Sequence, residues 1–109
     1  MSRAAILILL IAAVTVTFAP AYGQATADGA TLYQAKCAAC HGVDGAGKPA
    51  ARIPSLISGD AKKAADAVLT DGIANGGTSK RAAHAFQAKG VSPDQIRMIV
   101  EYIRELQKK

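Results

Sequence analysis

The 109-residue chain has no tryptophan, two phenylalanines and three tyrosines. Aromatic side chains dominate the packing of small cores, so this chain carries little bulk of its own to fold around. It has only two cysteines. That excludes a multi-bridge disulfide framework and falls short of a four-cysteine zinc site. No apolar run reaches the roughly 20 residues of a membrane-spanning helix. The longest, from Ala4 to Val14 and on through Phe18, is broken by Thr15 and Thr17. Thirteen Lys and Arg stand against eight Asp and Glu, a formal charge of +5. They form no dense run and interleave with no aromatics, which excludes a nucleic-acid surface. A mildly basic surface suits docking onto an acidic protein.

The amino-terminal apolar run reads as a secretory signal over residues 1–23. Arg3 is its only charge, and Ala21 and Gly23 put small residues at the −3 and −1 positions of a cut before Gln24. Cuts after Ala25 or Ala27 are alternatives. A retained anchor fits less well, because the run is too short, and the absence of cysteine there argues against a lipid anchor. The expectation is one domain over residues 24–109, periplasmic or secreted, with no membrane span after cleavage. Losing Arg3 lowers the formal charge by one. A domain this short buries little apolar surface and often needs a staple.

The residues predict helices and loops. Thr26 or Asp28 can cap a short helix from Gly29 to Lys36, with Leu32 and Tyr33 on its buried face. Gly42, Gly45, Gly47 and Pro49 mark an irregular loop, closed by Pro54-Ser55-Leu56. A second helix is expected from Asp60 to about Asp71, stopped by Gly72. A long loop then runs from Asn75 through His84 and Phe86 to Gly90. The last helix is the clearest. Ser92, Pro93 and Gln95 form a capping box, and Ile96, Ile99, Val100, Ile103 and Leu106 recur on one stripe. Arg104, Lys108 and Lys109 load its end, where cations oppose the helix dipole. No strand pattern stands out. The fold class is all-α, three or four short helices joined by loops.

The chemistry concentrates in Cys37-Ala38-Ala39-Cys40-His41. Cys-x-x-Cys-His is the pattern of covalent haem attachment. Cysteines one helical turn apart can reach two carbons on one macrocycle edge, and the adjacent histidine swings under the iron. Covalent haem c would also supply the missing core. A zinc half-site lacks further cysteines, and a thioredoxin-like pair lacks the βαβ pattern. Gly42 to Lys48 matches the start of a phosphate-binding loop. Pro49 stands where Ser or Thr should follow, with no strand before it and no helix after it, so the match carries no weight.

These residues resemble the monohaem class I cytochromes c of bacteria. The resemblance rests on Gly29, Tyr33, Cys37, Cys40, His41, Gly42, Pro54, Leu56, Ser92 to Ile96, and Tyr102-Ile103. It implies a small all-α cytochrome c-like fold wrapped round one covalent haem, with the first and last helices packed together. It also implies that the Pro54 carbonyl accepts the N–H of the proximal His41, orienting it.

The far face of the iron departs from that family, which usually supplies a methionine shortly before the last helix. Met98 lies inside the last helix, turned roughly 200° from Ile96, off the apolar stripe and towards solvent. His84 occupies the loop position instead. Counted from Phe86, the family's methionine would fall one residue earlier, on Ala83. Imidazole is a good iron ligand, so His84 is the expected distal ligand; an exposed loop histidine and an open site are the alternatives. Phe86, Leu32, Leu56, Ile99 and Ile103 are candidates to line the pocket, or simply to pack the core.

The expectation is a non-catalytic single-electron carrier passing electrons between larger redox proteins, as a monomer or small subunit. Lys36, Lys48, Arg52, Lys80, Arg81 and Lys89 would steer it to an acidic surface. A haem-based ligand-binding or sensor protein, with an open or weakly capped distal site, is the second reading. A peroxidase-like enzyme is the third.

Overall fold

Asp28 starts the first helix. Its carboxylate accepts the backbone N–H of Thr31 at 2.8 Å, which satisfies one of the orphan donors of a helix start. The computed structural model describes residues 28–109. The expected signal segment and the alternative cap Thr26 lie outside them. Helix α1 is Gly29–Lys36, followed at once by the turn α2, Ala38–His41. A loop with a short 3₁₀ turn, Pro49–Ala51, leads to α3, Gly59–Lys63, and α4, Asp66–Asn75. An irregular stretch then leads to α5, Pro93–Leu106. The described residues contain no strand, only an isolated bridge between Lys48 and Ile53. The fold is all-α, as expected.

Helix α5 is the spine. Its capping box is present in both directions: Ser92 Oγ accepts from Gln95 N–H at 3.2 Å, and Gln95 Oε1 accepts from Ser92 N–H at 3.0 Å. Ile96, Ile99, Val100, Ile103 and Leu106 are all buried. One half of that stripe packs on Leu32, Tyr33 and Cys37 of the α1–α2 segment. The other half, through Ile96, meets Ala74 and Val91, with Ile73 and Phe86 beside them. Thus α5 holds the CAACH segment on one side and α4 with the loop that carries Phe86 on the other.

Helices α1 and α5 meet closely at Gly29. A Cβ there would run into the backbone carbonyl of Met98, so only glycine permits the approach. The ring of Tyr33 lies 5.3 Å from that of Tyr102 across the same contact.

Three expectations change. The second helix is two helices. Ala64 and Ala65 are extended, with ψ of 135° and 151°. The cause lies on α5, where Arg104 turns its guanidinium onto the carbonyls of Ala61, Lys62 and Ala64 and the carboxylate of Asp66. Those carbonyls belong to a helix end with no partner of its own. Of the three terminal cations, only Arg104 lies in the last turn of α5, and it serves α3 and α4. Second, Gly72 lies inside α4. The helix stops instead at Gly76, in the left-handed region at φ 85°. Third, Met98 does not point to solvent. It is half-buried, packed against the α1–α5 cluster beside Gly29, because the close approach at Gly29 draws that face of α5 into contact.

Candidate haem site

Cys37 closes α1, and Cys40 and His41 follow within the single turn of α2. His41 N–H bonds back to the carbonyl of Cys37 at 2.9 Å, so Cys37 and Cys40 stand one turn apart. The turn is fixed from below by Tyr33, fully buried, whose hydroxyl donates to the carbonyl of Gly42 at 2.7 Å. Lys48 Nζ donates to the carbonyl of Ala39 at 2.8 Å. The lysine of the phosphate-loop look-alike thus serves the CAACH turn. Cys37 is buried and Cys40 exposed. Burial pushes the Cys37 thiol up to about 11, despite the opposing pull of Lys36.

His41 is buried, 8% exposed. Its Nδ1 lies 3.1 Å from the carbonyl oxygen of Pro54. A carbonyl only accepts, so Nδ1 carries a proton, and Nε2 is the ring nitrogen not engaged by Pro54. Gly47 supports that carbonyl. At φ 76° it lies so close that a Cβ would stand 2.6 Å from the oxygens of Ile53 and Pro54. Its own N–H donates to the carbonyl of His41 at 2.8 Å. Histidine, glycine and proline therefore form one closed unit.

Across the cavity stands His84. The two imidazole centroids are 6.0 Å apart and their planes differ by 22°. A metal–imidazole bond is about 2 Å long, so two imidazoles on opposite sides of one ion have centroids roughly 6 Å apart. Burial lowers the His84 pKa, with His41, Arg81 and Lys89 acting in the same direction. The ring is thus neutral at pH 7 and keeps a lone pair to donate.

Two adjoining cavities, of about 650 and 220 Å³, share Cys40, His41, Val68 and His84 among their walls. Cofactor pockets run about 300–1,000 Å³. The smaller cavity is apolar in its depth, lined by Leu56, Leu69, Ile73, Phe86 and Ile103. The larger is flanked by Arg52 and Arg81. Two thiols on one turn, two facing imidazoles and an apolar slot with cations at its rim fit a haem c.

Residues 24–103 match the family described as Cytochrome C oxidase, cbb3-type, subunit III. The chain belongs to that family. It is a c-type cytochrome, carrying covalently bound haem c with its iron in an electron-transfer role. No curated protein matches the chain.

In this cytochrome the structure gathers most of the expected site residues. Cys37, Cys40, His41, Pro54, Leu56, His84, Phe86 and Ile103 all line the smaller cavity. Leu32 and Ile99 do not; they are buried in the α1–α5 contact. Met98 lies in a groove with Asp28, Gly29 and Tyr102 that shares no residue with the two cavities. Val68, Leu69 and Ile73 of α4 line the cavity and were not singled out for it. Their signal was present: Val68, Leu69, Gly72 and Ile73 form an i, i+1, i+4, i+5 stripe. Val68 is 62% exposed, as befits a side chain facing a cofactor cleft instead of the packed core. All six cations expected round the site are exposed. Lys89 lies 5.0 Å over the Phe86 ring and donates to the carbonyl of Ala83 at 3.0 Å. No helix of the described residues is long and apolar enough to cross a membrane.

Proposed function

We propose that this cytochrome is a periplasmic or secreted monohaem electron carrier with two histidine ligands. Residues 1–23 direct export and are removed, and residues 24–109 form the working domain. Cys37 and Cys40 hold the haem, His41 is the proximal ligand and His84 the distal one. The observation that carries this reading is the 6.0 Å separation of the two imidazoles. Bound haem supplies a one-electron couple between ferric and ferrous iron. The residues around it do the rest. Pro54 orients His41 and, by accepting its Nδ1–H, raises its basicity. Leu56, Phe86 and Ile103 exclude water from the slot. Two imidazole donors stabilise the ferric state more than a methionine thioether does, which sets a low potential.

With His41 and His84 both holding the iron, the resting protein would offer no open position to a substrate. That favours transfer of electrons over catalysis. The six exposed cations favour docking on an acidic surface of a larger redox protein, with the chain acting as a monomer or small subunit. The family's description, which names an oxidase subunit, supports such a partner.

Spectroelectrochemical titration of the haem-loaded protein tests the reading. A single reversible one-electron wave is expected, and His84→Met should move it to higher potential. An His84→Ala protein with an unchanged ferric spectrum would contradict the ligand assignment.

A further inference from the structure

Two histidines face each other across the cavity, but only one is held from behind. His41 has the Pro54 carbonyl at 3.1 Å. Among the described residues the His84 ring makes no hydrogen bond; it lies between the rings of His41 and Phe86, at 6.0 and 6.3 Å. A ligand histidine whose other nitrogen is bonded is oriented and more basic, and His84 has neither advantage.

Its backbone is lightly held as well. The distal segment is pinned at Arg81, whose N–H donates to Gly76, and at Phe86, whose N–H donates to Ile73. Between the pins, the N–H groups of residues 82–85 make one hydrogen bond, from His84 to the carbonyl of Arg81 at 3.0 Å. One side-chain tether is added, from Lys89 to Ala83. Ala85, next to His84, sits at φ 29°, a conformation that alanine adopts only under strain. The position His84 would leave is bounded by the apolar Val68, Leu69, Ala83 and Phe86 on the side of the smaller cavity, while Ser79 and Arg81 lie in the wall of the larger one.

We infer that His84 is an exchangeable ligand, and that the position it holds is a binding site for a small neutral diatomic ligand of the carbon monoxide or nitric oxide type on the reduced protein. The inference rests on the two-histidine reading above. The exchange is a ligand substitution without change of oxidation state. The bond from the His84 nitrogen breaks and the nitrogen keeps its electron pair; the lone pair of the incoming molecule makes the new bond. The cytochrome would thus pass electrons while His84 is in place and stop when a diatomic replaces it.

Carbon monoxide binding to the reduced haem-loaded protein, followed by stopped-flow absorbance, is the test. The native protein should be low-spin before mixing and bind one carbon monoxide per haem. Its rate should reach a plateau as carbon monoxide increases, because release of His84 becomes limiting. His84→Ala should be high-spin and bind with a rate linear in carbon monoxide. Lys89→Ala, which cuts the tether, should raise the plateau about three- to fivefold, the effect of losing one hydrogen bond. A native protein that stays low-spin and binds no carbon monoxide over hours overturns the inference and leaves the two-histidine reading standing. A native protein that is already high-spin, or an unchanged spectrum in His84→Ala, removes that reading and the inference with it.

Discussion

His41 and Gly47 share one carbonyl: Pro54 accepts the Nδ1–H of His41 at 3.1 Å, and Gly47 packs so tightly on the same group that a Cβ would lie 2.6 Å from its oxygen. The orientation of the His41 imidazole is therefore constrained by a residue with no side chain. Gly47→Ala must either shift Pro54 or abandon φ 76°. Overpacking and a left-handed alanine together should cost about 2 kcal/mol, read by denaturant unfolding. The hydrogen bond to His41 should lengthen, lowering its basicity. The ferric state is then less favoured, and the midpoint potential should rise.

Gly29→Ala tests the other close approach. The added methyl meets the Met98 backbone, and backbone cannot turn aside as a side chain can. A loss of about 1–3 kcal/mol is expected in thermal unfolding. The axial-ligand spectrum should not change, because this contact shares no residue with the haem cavities.

Arg104→Ala should cost about 2 kcal/mol. The pair with Asp66 contributes the smaller part, since that carboxylate is 74% exposed and such pairs are worth at most about 1 kcal/mol. Bonds from the guanidinium to the carbonyls of Ala61, Lys62 and Ala64 contribute more. Arg104→Lys should fail to rescue, because one ammonium cannot spread over several acceptors as a guanidinium does. Amide exchange in residues 59–66 reads the loosened α3–α4 junction.

Burial pushes the Tyr33 hydroxyl up to about 12. An acid whose pKa is raised by folding keeps its proton while the unfolded chain loses it. Stability should therefore be flat below pH 10, near the unfolded value, and fall as pH rises from 10 to 12. Tyr33→Phe should cost about 1 kcal/mol at neutral pH, for the lost bond to Gly42, and should lose that Tyr33-dependent slope. Equilibrium unfolding at stepped pH checks both.

The features legible in the sequence are those whose partners lie close by along the chain. Ser92 and Gln95 are three apart, so their capping box could be read directly. The apolar stripe of α5 follows from helical spacing, and CAACH carries its chemistry within five residues. His84 was proposed as a ligand from its place before the last helix. What escaped depends on distant contacts. The break between α3 and α4 is caused by Arg104, 38 residues beyond Asp66. The placing of Met98 follows from Gly29, which acts through the side chain it lacks. Leu32 and Ile99 were candidate lining residues and proved to be core, because an apolar stripe does not say which apolar neighbour it meets. Val68 shows the reverse: the sequence did not single it out, and it lines both cavities beside His41 and His84.

The facing imidazoles of His41 and His84 are the centre of the proposal, and the near-infrared magnetic circular dichroism of the ferric haem-loaded protein tests them most directly. The low-spin charge-transfer band there depends on the pair of axial ligands. A band at the energy of two imidazoles is predicted. A methionine-type band would contradict the His84 assignment and require Met98 to leave its seat beside Gly29.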